Sequence, residues 1–122
     1  MRQLRLLLLV AKDPVKQTAR KTLLERCAGY CELCGHPLTF DWAVHHRKLR
    51  SRGGTNELSN LVALHHHCHN LGTNSVHLNP AWATEIGFMV ASWDEPSEVA
   101  LVYQRGGKVL LSNDGGLTPT ND

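Results

Sequence analysis

Aromatic side chains are scarce in this chain: Trp, Tyr and Phe together make up 6% of its 122 residues. A single domain of this length can therefore bury only a modest core, and a bound metal would supply a useful staple. Long apolar runs are missing as well. The run Leu6–Val10, behind Arg2 and Arg5, falls far short of the roughly 20 residues of a membrane span and lacks the small-residue cleavage site of a secretory leader. It reads as a buried strand or helix start, and the protein as cytoplasmic with no membrane partner. No Gly-Lys-Ser/Thr follows the glycine pair Gly53-Gly54, which excludes a Walker-type nucleotide loop. There is no internal repeat.

Net charge is also small, at +2, but unevenly spread. Residues 1–52 hold eleven Lys/Arg against four Asp/Glu, and residues 53–122 hold two against seven. A basic half beside an acidic half suits a polyanion footprint on one side of the molecule, and equally an ordinary solvated surface.

What the chain does have is a concentration of metal-ligating side chains. All eight histidines and three of the four cysteines lie between Cys31 and His77. Cys31-x2-Cys34 is followed by His65-x2-Cys68 at the same spacing, a regularity that a disulfide framework does not require. Gly35 relieves the backbone where amides approach the sulfurs. A thioredoxin-type redox pair would need a helix starting at the first cysteines within a parallel βαβ fold, and Gly35, His36 and Pro37 argue against one. Cys31, Cys34, His65 and Cys68 are thus the expected closed set for a structural Zn²⁺.

In chain order, Asp13-Pro14 predicts a helix start, and Val15, Ala19, Leu23 and Cys27 recur every fourth residue to give a helix over 14–27. Cys27 sits on the apolar stripe and reads as core. Thr39–Val44 predicts a short strand with Phe40, Trp42 and Val44 on one face, closed by His45-His46. Neighbours on a strand point to opposite faces, so one imidazole can face a metal and the other a substrate. Arg47, Lys48, Arg50 and Arg52 then make a basic loop, able to contact phosphates or simply to be solvated. Leu58–Leu64 reads as a second strand, and His65–Leu71 as the start of a helix with His65 and His69 on one face. Further on, a short helix from Asn79-Pro80 to Gly87, a strand over Phe88–Trp93, and a hairpin of Val99–Tyr103 with Lys108–Leu111 are expected. Residues 112–122 read as a disordered tail.

The run His45-His46-x13-Asn60-x8-His69, with its flanking Cys/His pairs, resembles the HNH endonuclease family in its zinc-stapled form. Arg50-Ser51-Arg52-Gly53-Gly54 and Leu58-Ser59-Asn60-Leu61-Val62 resemble the family's loop and second strand. Similarity is closest to small stand-alone bacteriophage members, through His77-Leu78-Asn79-Pro80, and covers about residues 20–90. The resemblance implies an α+β fold with a small ββα-metal, treble-clef-like core, plus an N-terminal helix and a C-terminal β-hairpin. One nuclease domain over 1–111, with its core at about 27–90, would act in the bacterial host cytoplasm if phage-encoded.

The activity implied is metal-dependent hydrolysis of DNA phosphodiester bonds. His46 would be the general base that activates water, and His45 and His69 would hold one divalent cation (Mg²⁺, Mn²⁺, Ni²⁺ or Zn²⁺). Asn60 would tie the loop and orient His46. Arg47, Lys48, Arg50 and Arg52, with the first helix, would meet the backbone of double-stranded DNA with low sequence specificity. Phage relatives also work with DNA-packaging proteins.

Two departures stand out. Relatives carry a third histidine four residues after the His69 position, where this chain has Thr73, and the next histidine is His77. Leu71-Gly72-Thr73-Asn74 resembles an insertion; on an uninterrupted helix His77 would point about 80° away from His69. Gly72 can instead end the helix and let His77 return as a third ligand. His65 also replaces the commoner cysteine, a change that zinc accepts. From a different class, a non-catalytic zinc-ribbon module that binds nucleic acid would need the cysteines but has no use for an open histidine site.

Overall fold

The computed structural model describes residues 14–120. Leu6–Val10 and Asp13 lie outside the described residues. Helix α1 spans Gln17–Cys27, and its cap is Lys16 with no side-chain hydrogen bond, so the expected start at Pro14 is corrected. Ala28 (φ 57°) and Gly29 (φ 84°) turn left-handed at its other end and donate back to Glu25 and Leu24 carbonyls, which stops the helix. Leu23 and Cys27 are buried, with Val15 packed beside them.

Strands β1 (Ala43–His46) and β2 (Leu61–Leu64) form an antiparallel ribbon that pairs Val44 with Ala63, His45 with Val62 and His46 with Leu61. Paired residues share a face. One face, with Val44, Leu61 and Ala63, packs on Leu23 and Cys27 of α1. The other, with Val62 and Leu64, packs on Val76, Phe88, Leu101 and Leu111. All four residues of β2 are therefore buried, and it separates two small cores. The expected strand boundaries shift accordingly: Phe40 is fully exposed ahead of β1, and Leu58–Asn60 is a 3₁₀ turn rather than strand.

After β2 a π-helical turn covers His67–Leu71, and helix α2 covers Pro80–Glu85 with proline in its first turn. Phe88, Met89 and Val90 are buried but not in a ladder; Val90 makes one backbone bond, to the Arg47 carbonyl. In place of the expected strand, Phe88 and Met89 donate to the Ala83 carbonyl. Strands β3 (Leu101–Val102), β4 (Lys108–Leu111) and β5 (Leu117–Pro119) form an antiparallel sheet in that order. The hairpin is as expected, but the tail is corrected: Leu111 pairs with Leu117 and Val109 with Pro119, so the polar turn at 112–116 returns the chain to the sheet. The architecture is α+β.

One buried carboxylate binds these parts together. Glu32, inside the first cysteine pair, takes a bidentate pair of bonds from Arg26 (2.9 and 2.8 Å), one from Tyr103 Oη (2.7 Å) and one from the Ala63 N–H (2.8 Å). A buried charge is tolerated when it is paired and its lone pairs are filled. α1, the cysteine turn, β2 and the β3–β4 hairpin thereby share one anchor.

Candidate metal and nuclease site

Cys31, Cys34, His65 and Cys68 converge so that their ligand atoms all lie within 4.8 Å of one another. The first pair sits on a turn closed by Gly35 N–H to Cys31 O (2.9 Å), with Gly35 left-handed at φ 80°. His65 donates from Nε2 to Pro37 O at 2.8 Å, which leaves Nδ1 as an acceptor beside Cys34 Sγ at 3.3 Å. An outer bond of this kind fixes the tautomer of a metal-binding histidine. The Cys31 thiol is pushed down to about 4, first by its hydrogen bond with Cys68 and then by backbone N–H groups, against the opposing effect of burial; Cys68 is pushed up by the same pairing. The set of three sulfurs and one imidazole is compatible with a structural zinc ion.

A second convergence brings together His45, His69 and His77, whose ligand atoms also lie within 4.8 Å of one another. Their ring centroids are 4.6 to 5.1 Å apart. His45, on the Val62 face of β1, is 1% exposed and donates from Nε2 to Phe88 O at 2.7 Å. Its Nδ1 is buried with no hydrogen-bond partner among the described residues, an orphan that native proteins rarely keep. Burial pushes His45 down to about 3 and His69 to about 4, and also lowers His77. Each shift favours the neutral imidazole, the form in which a histidine can bind a metal.

His77 reaches this place because the chain does not continue as a helix. The π turn closes with Gly72 N–H to His67 O at 3.0 Å; the chain then doubles back, with Val76 donating to Cys68 O (2.9 Å) and His77 to His69 O (3.1 Å). The residues between the two histidines form a loop that Asn79 Nδ2 holds through the Thr73 and Ser75 carbonyls, both at 2.8 Å. A side chain at Gly72 would meet His67 O at 2.6 Å.

His46 points to the opposite face of β1 and is half-buried, its basicity lowered by desolvation. The opposition expected of adjacent strand residues holds, yet both histidines line one open cleft of about 330 Å³ with Leu49, Arg50, Ser51, His69 and His77. Among the described residues Asn60 makes no hydrogen bond to His46. It accepts from the Lys48 N–H (2.6 Å) and donates to Lys48 O (3.1 Å) and Thr55 O (2.9 Å), so it ties the loop between the strands. The residue against His46 Nε2 is Asn56, whose Oδ1 lies 2.8 Å away. Asn56 carries no pattern that distinguishes it in sequence from any polar loop residue.

The basic loop divides. Arg47 is corrected from a DNA contact to a structural residue. It is 0% exposed and donates to the carbonyls of Gly87, Ser59, Pro96 and Val99 at 2.6 to 3.0 Å. Burial lowers its pKa to about 10. Its place on β1's outgoing strand direction, on the same side as His45, takes it inward. Lys48 reaches Asp94 O at 3.1 Å, Arg50 borders the cleft, and Arg52 is exposed. His66 sits 3.2 Å from Asp41, and His67 is exposed. Among the described residues no helix is long and apolar enough to cross a membrane.

Residues 31–75 match the family model described as HNH endonuclease. No curated protein and no solved structure matches the chain.

Proposed function

We propose that this protein, whose residues 31–75 match the HNH endonuclease family model, is a metal-dependent endonuclease that hydrolyses DNA phosphodiester bonds. The observation that carries this reading is the open cleft in which the trio His45, His69 and His77 lies beside His46. Three protein ligands with an open side are what a catalytic metal site needs, whereas a structural site is closed. The orphaned Nδ1 of His45 supports the fit, because a cation there would satisfy it. A divalent ion held by the three imidazoles supplies charge neutralisation at the scissile phosphate and at the leaving oxygen.

The residues do the rest. His46 accepts a proton from water as the water oxygen attacks phosphorus, a task suited to an imidazole that is neutral at working pH. The water O–H bond breaks, the P–O bond to the nucleophile forms, and the bond to the 3′ oxygen breaks with its electron pair. Asn60 keeps the loop that borders the cleft in one conformation. Arg50, Arg52 and Lys48, with Lys16 at the cap of α1 and Arg20 and Lys21 on it, position double-stranded DNA through its phosphates and read little sequence. Cys31, Cys34, His65 and Cys68 hold zinc for folding, and the domain is taken to run through β5 to Pro119.

A plasmid assay with a panel of Mg²⁺, Mn²⁺, Ni²⁺ and Zn²⁺ tests this reading. Nicked or linear product with at least one ion supports it. Binding of DNA without cutting under every ion would instead identify a zinc-ribbon binding module.

A further inference from the structure

We propose that Asn56 is a positioning residue that fixes which ring nitrogen of His46 acts as the base, leaving Nδ1 for the attacking water. This rests on the endonuclease reading of His46 and adds to it a residue and an atom. His46 Nε2 lies 2.8 Å from Asn56 Oδ1. An amide oxygen only accepts, so the ring donates from Nε2 and carries its lone pair on Nδ1.

The amide itself is held the right way round by two other groups. Arg50 Nη2, which can only donate, lies 3.1 Å from the same Oδ1, and Asn56 Nδ2 donates to Pro14 O at 3.4 Å. A flipped amide would set its NH₂ against a guanidinium and its oxygen against a carbonyl, and both contacts would become repulsive. The orientation of the ring thus follows from donors and acceptors of fixed type at each end of the amide.

Support continues one step further out. Asn60 Nδ2 binds Thr55 O at 2.9 Å, immediately before Asn56, and the Lys48 carbonyl at 3.1 Å. Asn60 holds the loop, the loop presents Asn56, and Asn56 holds the base. The resemblance assigned the orienting role to Asn60; here its amide is spent on backbone groups, and the direct contact falls to a residue four positions earlier. When Nδ1 takes the proton, the ring becomes an imidazolium, and the Asn56 oxygen on the opposite N–H stabilises that charge. Asn56 touches no reacting atom itself.

The test compares wild type with Asn56→Leu, which keeps the approximate volume without an acceptor, and Asn56→Asp, which keeps an acceptor oxygen. ¹⁵N NMR of the ring nitrogens of the full-length zinc-loaded protein, with the His46 signals assigned by their loss in His46→Ala, reads the tautomer without any need for activity. The expected result is protonation at Nε2 in wild type and Asn56→Asp, and a mixture of tautomers in Asn56→Leu. In plasmid cutting, kcat of Asn56→Leu should fall about 10- to 100-fold, the usual size of a lost orienting contact, with KM little changed and Asn56→Asp more active than Asn56→Leu. Retained zinc and an unchanged melting midpoint verify that the variants are folded. A wild-type ring protonated at Nδ1, or an Asn56→Leu variant with unaltered tautomer and kcat, overturns the proposal. Failure of the wild type to cut DNA would defeat the endonuclease reading alone, since the tautomer measurement judges Asn56 separately.

Discussion

The backbone N–H of His77 donates to the carbonyl of His69, eight positions earlier, at 3.1 Å, and their Nε2 atoms lie 3.0 Å apart. A helix would have carried His77 away from His69. The π turn and the loop after Gly72 reverse the chain and return the second imidazole to the first.

If His77 is a ligand, His77→Ala should weaken binding of Mn²⁺ or Ni²⁺ at the histidine site by more than about tenfold, the lower end of what even outer contacts contribute. Structural zinc should be unaffected. Calorimetric titration of the zinc-loaded protein measures this, and an unchanged affinity would remove His77 from the ligand set.

Gly72→Val should disturb the same site from a distance. Its Cβ would fall 2.6 Å from a backbone oxygen, so the π turn must shift. Overpacking of this kind costs about 1–3 kcal/mol. A lowered urea midpoint together with weakened Mn²⁺ binding is expected. Wild-type values for both would mean that the loop bears no strain from a side chain there.

Arg47 and its neighbours should separate stability from DNA binding. Arg47→Met leaves three buried carbonyls and one part-buried carbonyl without their donor and is expected to cost roughly 2–4 kcal/mol. Arg52→Ala should leave the urea midpoint alone and lower the salt dependence of DNA binding by about one unit of slope. The reverse pattern, a stable Arg47→Met with a reduced slope, would restore Arg47 to the DNA contacts.

The sequence made the ligand sets easier to read than their surroundings. Cys31, Cys34, His65 and Cys68 announce themselves through repeated spacing, and the two-residue period of a strand was enough to set His45 and His46 on opposite faces. Period says nothing, however, of what lies above each face. Arg47 looks like its basic neighbours until β1 is placed under the Pro96 turn and Gly87, whose carbonyls absorb its guanidinium. Glu32 and Asn56 are similarly silent, because their roles arise from partners distant in sequence, such as Tyr103 for Glu32, or from loop geometry. Strand β5 was hidden because Leu117–Pro119 has little apolar content and is stabilised by its pairing with β4.

Removal of zinc should unfold the protein as a unit. Cys34→Ser is expected to lose bound zinc and the cooperative thermal transition, since the cysteine turn carries Glu32 and through it α1, β2 and Tyr103. Metal content by atomic emission and melting by circular dichroism measure the two together. A folded variant without zinc would show that the Glu32 network suffices.

The most direct measurement is the cutting of supercoiled plasmid by His46→Ala beside wild type, at equal zinc content and with Mg²⁺ or Mn²⁺ supplied. Wild type should nick or linearise the DNA, and His46→Ala, still folded and still binding DNA, should fall by about 10²- to 10⁴-fold, the usual contribution of a general base. Undiminished cutting by His46→Ala would contradict the assignment of His46 as the base.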